Sequence, residues 1–159
     1  MQSDSTSREQ RPRISVDELR KTFSKKVVDH FLNPRNVGEF PAADGLGRAS
    51  IPCGDSMQIC LRVRNDRILE ARFMTDGCWP VIACGSMTTD LVKGETINEA
   101  MALSEDDIMT GLDGLPDSET HCATLAVTAL KQALIDYLAL RREPWKRSYR
   151  QVEPFTPGK

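Results

Sequence analysis

The chain has 159 residues, of which 40% are hydrophobic and 28% charged, and its formal net charge at pH 7 is only -2. This composition is typical of a globular domain with its own core, because disordered chains contain fewer hydrophobic residues. Nucleic-acid-binding domains usually carry a strong basic excess, so we expect no nucleic-acid partner. The apolar runs are shorter than the roughly twenty residues that a membrane helix requires, so we also predict no membrane span.

The five cysteines indicate the redox environment of the protein. An odd number of cysteines, in a chain long enough to fold without disulfides, favours a reducing compartment in which thiols react or bind metal. We therefore predict a cytoplasmic protein. Residues 1–13 are predicted to be a disordered polar tail, and they lack the apolar stretch of a secretory signal.

The first predicted element is a helix that begins near Ser15. Ser15 and Glu18 have the spacing of a capping box, in which each residue bonds the backbone N–H of the other. An apolar stripe with a period of four follows, formed by Leu19, Phe23, Val27 and Phe31. This period predicts one continuous helix that ends before Asn33 and Pro34.

The hydrophobic period changes to two between residues 45 and 76. Met57, Ile59, Leu61 and Val63 alternate with Gln58, Cys60, Arg62 and Arg64. Such alternation predicts a strand with one buried face. Asn65 and Asp66 supply a turn, and residues 68–75 form the returning strand. We expect an α+β fold in which a small antiparallel sheet of about three strands is packed on one face by helices.

The remaining predicted elements are helices. One runs from Pro80 to Lys93, and a long amphipathic helix runs from Ser118 or Thr120 until Pro144 closes it. Two short helices lie between them, each opened by a capping box: Thr96 with Glu99, and Ser104 with Asp107. The domain is therefore predicted over residues 14–143, and residues 144–159 form a basic, proline-containing tail.

Three cysteines fall where regular elements meet. Cys53 precedes a strand, with Gly54 allowing a tight bend and Asp55 offering an oxygen ligand. Cys78 precedes a helix, where the partial positive charge of the helix N-terminus should lower the pKa of its thiol. Cys122 lies in the first turn of the long helix, where the same dipole acts. We expect these three cysteines to form one metal site.

His121 adds an imidazole beside Cys122. Adjacent helical residues point about 100° apart. We therefore expect His121 and Cys122 to reach one metal only if the first turn is loosely wound and mobile. Thiolates combined with an imidazole or a carboxylate suit both iron-sulfur clusters and zinc. The ligand types alone leave these two alternatives open.

Sequence blocks across residues 23–142 resemble those of the IscU/NifU family of iron-sulfur cluster scaffolds. They are VVDHFLNPRNVG, PCGD, ARFMTDGC, VKG and the pair HC before a long helix, in the family's order. The resemblance implies a scaffold, not an enzyme, that holds a transient 2Fe-2S cluster, iron, or zinc in its apo form. The implied ligands are Cys53, Asp55, Cys78, His121 and Cys122.

The resemblance also implies partners. A cysteine desulfurase of the IscS/NifS type would supply persulfide sulfur, an electron donor such as a ferredoxin would reduce it, and acceptor apo-proteins would receive the cluster. Cys122 is the predicted persulfide acceptor, with Cys78 second, and a homodimer is one possible state. Relatives carry a Leu-Pro-Pro-Val-Lys segment read by a DnaK-type chaperone. LPDSET stands here instead, with Asp117 and Glu119, which leaves dependence on that chaperone open.

Two alternatives differ from an iron-sulfur scaffold. A zinc-dependent sulfur-transfer protein, similar to SufU, would use the same ligands but make no cluster. A hydrolase with His121 as base and Cys122 as nucleophile ranks lower, because neighbours on a helix do not readily hydrogen-bond in those roles. We expect Cys60, Cys84 and His30 to have packing roles.

Overall fold

The computed structural model describes residues 15–52, 54–149 and 155. The predicted tail at residues 1–13 and most of the C-terminal tail lie outside these ranges. The described elements, in chain order, are α1 (Val16–Thr22), α2 (Lys25–Leu32), β1 (Gly45–Ser50), β2 (Ser56–Arg64), β3 (Arg67–Thr75), α3 (Trp79–Val92), α4 (Ile97–Met101), α5 (Glu105–Gly111), a 3-10 turn (Asp117–Glu119), α6 (Thr120–Arg142) and a second 3-10 segment (Pro144–Tyr149).

The strands form an antiparallel sheet with the order β1-β2-β3. Asn65 and Asp66 join β2 to β3, and both have the positive φ angles, +56° and +58°, of a tight hairpin turn. Met57 on the central strand lies opposite Ala49 on one side and Thr75 on the other. The predicted α+β fold with a three-stranded antiparallel sheet is confirmed.

Helix α6 lies unusually close to β1, and glycine makes this approach possible. A Cβ atom on Gly47 would lie 2.2 Å from the backbone nitrogen of Ala133 and 2.3 Å from the carbonyl oxygen of Ala129. No side chain fits in that space. The missing side chain thus sets how deeply the long helix sits on the sheet, and with it the position of the helix N-terminus.

By length and composition, the stretch Asp117–Arg142 could cross a membrane, which the sequence analysis did not anticipate. Its apolar residues are instead part of the domain core. Leu125, Leu130 and Leu134 are each at most 1% exposed and belong to the buried cluster that includes strand residues. α6 therefore has the arrangement of a core helix.

The prediction of one continuous N-terminal helix is wrong, because the chain breaks at Phe23 and Ser24 into α1 and α2. The Ser24 hydroxyl donates a hydrogen bond to the Leu112 carbonyl oxygen and accepts one from the Val27 backbone N–H at 3.1 Å. Ser24 therefore caps the second helix and ties it to the end of α5. The capping box of Ser15 at the start of α1 is present as predicted.

The prediction that β2 has one buried face is wrong for its first half. Gln58 and Cys60 are each 1% exposed although they belong to the outer face. The segment before β1 covers them: the Gln58 amide donates to the Glu39 carboxylate at 2.9 Å. Phe40 is buried on the same side, with the Arg72 guanidinium 4.5 Å from its ring centroid. Cys60 is thus buried, in keeping with its predicted packing role.

We predict that Gly47→Ala lowers the free energy of unfolding by about 3 kcal/mol or more, because the new methyl group meets rigid helix backbone. Urea denaturation monitored by circular dichroism measures this loss. Gly114→Ala is the matched control, since its φ of +96° strains alanine but no atom lies within 4 Å of the added Cβ. Its expected loss is about 1 kcal/mol. Equal losses in the two variants would contradict the close approach of α6 to β1.

Candidate functional site

Hydrogen bonds between the ends of β2 and β3 hold together the two loops that bear Cys53 and Cys78. The Asp76 carboxylate accepts from the backbone N–H of Ser56 at 2.8 Å and from its hydroxyl at 3.0 Å. The Thr75 hydroxyl donates to the Ser56 carbonyl at 2.6 Å and accepts from the Gly77 N–H at 3.0 Å. These bonds place the chain just before β2 beside the chain just after β3.

A tight turn precedes β2. The Gly54 N–H donates to the Ile51 carbonyl at 2.9 Å, and the Ile51 N–H donates to the Asp55 carbonyl at 3.0 Å. Gly54 has a φ of +100°, a conformation that glycine adopts without strain. Cys53 lies outside the described residues, so its predicted role as a ligand stays a prediction. Asp55 reaches the site, with its Oδ2 4.0 Å from the Cys78 sulfur.

Cys78 occupies the N-cap position of α3 and is exposed. The two residues after it are held by packing: Pro80 is buried, and Trp79 packs edge-on against Phe23 with the ring centroids 4.1 Å apart. A second edge contact joins Trp79 to Phe31 at 6.1 Å. The break between α1 and α2 therefore helps to support the loop that presents Cys78.

Cys122 lies in the first turn of α6 and is fully buried. Its sulfur is 3.6 Å from His121 Nε2 and 3.6 Å from Glu119 Oε2. The expectation that His121 reaches this site only in a loosely wound turn is wrong. Both residues belong to the α-helix Thr120–Arg142, and the length of the imidazole brings Nε2 back to the sulfur.

The two described cysteines of the predicted ligand set influence each other's pKa. Interaction with the Cys122 thiol is the largest cause of a Cys78 pKa lowered to about 7. Burial and the carboxylates of Asp55 and Glu119 oppose the shift, while the Val81 N–H supports it. The predicted direction of the Cys78 pKa is thus confirmed.

The pKa of Cys122 is raised, first because its thiol donates to Cys78 and second because it is buried. This contradicts the expectation that the helix dipole would favour the Cys122 thiolate. Hydrogen bonding to a neighbouring thiolate stabilises the protonated form of the donor more than the helix N-terminus stabilises its charge. In the metal-free protein Cys78 is therefore the more readily ionised of the two thiols.

Sequence reasoning did not identify Glu119 as part of the site. Glu119, His121 and Cys122 each offer one ligand atom, and these atoms all lie within 4.8 Å of one another. The signal in the sequence was the acidic residue two positions before His121 at a helix start. Glu119 was noted only as a departure from the chaperone-binding segment of relatives.

Cys84 and His30 are buried, as their predicted packing roles require. Burial raises the pKa of the Cys84 thiol to about 12, and the nearby negative charge of Cys78 adds to this effect. His30 Nδ1 lies 2.7 Å from the Ser86 hydroxyl, and burial lowers its pKa. Neither residue has an exposed reactive group.

Fold and site together define a class of protein: an α+β domain with thiol, imidazole and carboxylate groups gathered at one end of a small sheet. The chain belongs to the NifU-like N-terminal domain family, which it matches over residues 22–143. The resemblance found in the sequence is thereby confirmed.

Two iron-sulfur cluster assembly scaffold proteins are similar in sequence to most of this chain. An iron-sulfur cluster assembly scaffold protein, IscU 1 of Archaeoglobus fulgidus, is 47% identical over 116 residues, which cover 72% of this chain and 76% of that protein. The scaffold protein IscU of Escherichia coli (strain K12) is 44% identical over 124 residues, covering 75% of this chain and 96% of that protein.

Solved structures share the fold. The N-terminal part of a nitrogen-fixing NifU-like protein from Brucella abortus superposes with a TM-score of 0.61 and 14% identity, covering 81% of this chain and 99% of that one. A SufU scaffold protein for the SUF system from Fervidobacterium islandicum AW-1 has a TM-score of 0.54 and 15% identity, covering 74% and 97%. At this identity the likeness concerns the fold alone.

We predict that alkylation of Cys78 by iodoacetamide, followed by peptide mass spectrometry on the metal-free protein, accelerates as the pH rises through about 7. The sign follows from the lowered pKa, because the reactive thiolate is already populated near neutral pH. Cys122→Ala removes the hydrogen-bond donor and should move the midpoint towards the ordinary value of 9.0. Cys122→Ser keeps an O–H donor and is the control. A midpoint unchanged in Cys122→Ala would show that Cys122 does not lower the pKa of Cys78.

Proposed function

We propose that this protein is a scaffold on which a 2Fe-2S cluster is assembled from iron and persulfide sulfur and then transferred to acceptor apo-proteins. The observation that carries the proposal is the meeting of two thiols, an imidazole and a carboxylate from three separate chain segments at one exposed end of the domain. Family membership and the names of the relatives support it. The ligands we propose are Cys53, Asp55, Cys78, His121 and Cys122.

Sulfur delivery requires a nucleophilic thiolate on the scaffold. The thiolate attacks the outer sulfur of a desulfurase persulfide, a new sulfur-sulfur bond forms, and the desulfurase cysteine leaves as thiolate. Cys122 remains our proposed final acceptor, since it lies among His121 and Glu119. The exposure and the lowered pKa of Cys78 favour this residue for the first attack. The sulfur of Cys122, on losing its proton, would then attack the outer sulfur of the Cys78 persulfide; the Cys78 sulfur-sulfur bond would break and Cys78 would leave as a thiolate able to take up that proton.

The reduction of the persulfide sulfur determines which partners the scaffold needs. Each persulfide sulfur becomes sulfide by taking up two electrons, which breaks the sulfur-sulfur bond and restores the cysteine thiolate. For a cluster with two ferric ions built from ferrous iron, the iron supplies half of these electrons and a donor such as a ferredoxin supplies the other half. We therefore propose a cysteine desulfurase and an electron donor as partners. The thiols of Cys78, Cys84 and Cys122 favour a reducing cytoplasm.

A second candidate function is zinc-dependent sulfur transfer without cluster assembly. The specific observation in its favour is the set of sulfur, nitrogen and oxygen donors at the start of α6, which suits a tetrahedral zinc ion as well as iron. The two functions differ in product: one yields an iron-sulfur chromophore, and the other yields a persulfide with zinc retained.

The test is anaerobic reconstitution with ferrous iron, cysteine and a cysteine desulfurase, monitored by visible absorbance and metal analysis. We expect the parent to form a cluster and Cys→Ala variants at 53, 78 and 122 each to lose most of it. Cys60→Ala is the matched control, because Cys60 is buried beside Gln58 on the outer face of the sheet. Stable zinc with persulfide transfer and no chromophore in the parent would favour the second candidate.

We further predict that Asp55→Ala lengthens the lifetime of the cluster several-fold, because a carboxylate is a hard, exchangeable ligand for iron otherwise held by thiolates. The measurement is the decay of visible absorbance after a chelator is added. Asp113→Ala controls for loss of a surface carboxylate, since Asp113 lies in an exposed turn and pairs with Lys26. If Asp55→Ala and the parent decay at the same rate, Asp55 is not the labile ligand.

A further inference from the structure

The Glu119 carboxylate points towards Cys122, whose thiol donates a hydrogen bond to its Oε2. Glu119 occupies the N-cap position of α6, but its side chain makes no capping hydrogen bond to the helix. Among the described residues, none of the ion pairs includes Glu119. Its Oε2 instead lies 3.6 Å from the sulfur of Cys122, on the same side as His121.

The separations within this group are those of ligands on a single ion. With metal-ligand bonds of about 2.3 Å to sulfur and about 2.1 Å to nitrogen or oxygen, two donors on one tetrahedral ion lie about 3.6 Å apart. The distances from the Cys122 sulfur to Glu119 Oε2 and to His121 Nε2 are both 3.6 Å. All three donor atoms are within 4.8 Å of one another. Little rearrangement is needed to place one ion between them.

The chemistry of the donors restricts the ion. One sulfur, one imidazole nitrogen and one carboxylate oxygen suit Fe²⁺ or Zn²⁺, whereas Mg²⁺ and Ca²⁺ prefer oxygen alone. The carboxylates of Asp55 and Glu119 both lie close enough to Cys78 to act on it electrostatically. A divalent cation in this position would offset their mutual repulsion.

We propose that Glu119 is a metal ligand and that Glu119, His121 and Cys122 bind one divalent ion, Fe²⁺ or Zn²⁺, without Cys53 or Cys78. The three donors come from four consecutive residues at the start of one helix, so their spacing does not depend on the loops that flank the strands. That this ion is the incoming iron for cluster assembly rests on the proposed function. The binding itself does not.

The site is tested by titrating the full-length, metal-free, reduced protein with Co²⁺, whose visible spectrum reports ligand number and thiolate coordination. Glu119→Gln should weaken Co²⁺ binding by at least about tenfold and change the shape of the visible bands. Asp117→Asn is the matched control, because Asp117 is an exposed acid of the same 3-10 turn and its carboxylate is not in the donor group. We expect its affinity to match the parent's.

A double variant, Cys53→Ala with Cys78→Ala, isolates the three-ligand site. It should still bind one Co²⁺ with a single thiolate, and adding Glu119→Gln should remove that binding. Circular dichroism checks that each variant is folded, and Glu119→Ala repeats the test should Glu119→Gln be unfolded. Unchanged affinity and spectrum in the folded Glu119 variant, or no Co²⁺ bound by the folded double variant, would overturn the proposal.

The outcomes also separate this inference from the proposed function. Glu119-dependent Co²⁺ binding in a parent that forms no cluster on reconstitution would support the ligand and contradict the scaffold. A parent protein that forms the cluster but binds Co²⁺ independently of Glu119 would support the scaffold function and contradict Glu119 as a ligand.

Discussion

The interaction between Cys78 and Cys122 is the one on which the site depends. It relates the N-terminus of α3 to that of α6, and it lowers the pKa of the exposed Cys78 thiol while it raises that of the buried Cys122 thiol. Two constraints make this interaction possible. The Asp76 carboxylate accepts a hydrogen bond from Ser56 and so joins the ends of β2 and β3 next to Cys78. Gly47 has no side chain, so α6 can pack close to β1, which brings Cys122 to the end of the sheet where Cys78 lies.

Much of the fold could be predicted because its signals are local. Capping boxes at Ser15, Thr96 and Ser104 marked three helix starts, and all three are present. The period-two pattern and the turn at Asn65 predicted the hairpin of β2 and β3. The same kind of reasoning placed Cys78 and Cys122 at element ends, since a residue at the end of a helix or strand is recognisable from its immediate neighbours.

The features that could not be predicted involve partners distant along the chain. The predicted N-terminal helix is interrupted at Ser24, whose hydroxyl donates a hydrogen bond to the carbonyl of Leu112, 88 residues along the chain. Gln58 becomes buried because the segment around Phe40 folds over it. The direction of the Cys122 pKa depends on a thiol from another helix, which a dipole argument on its own helix omits. Cys53 lies outside the described residues, so its place in the site stays a prediction.

Trp79 packs against Phe23 directly after Cys78, so its fluorescence should respond to what binds at the site. An indole directly after Cys78 lies close enough to any bound chromophore for its emission to be quenched by energy transfer. The other tryptophan, Trp145, is 60% exposed and follows the C-terminal end of α6, so its emission should be red-shifted. Ultraviolet fluorescence at two wavelengths could therefore follow loading and release of the site without any added dye.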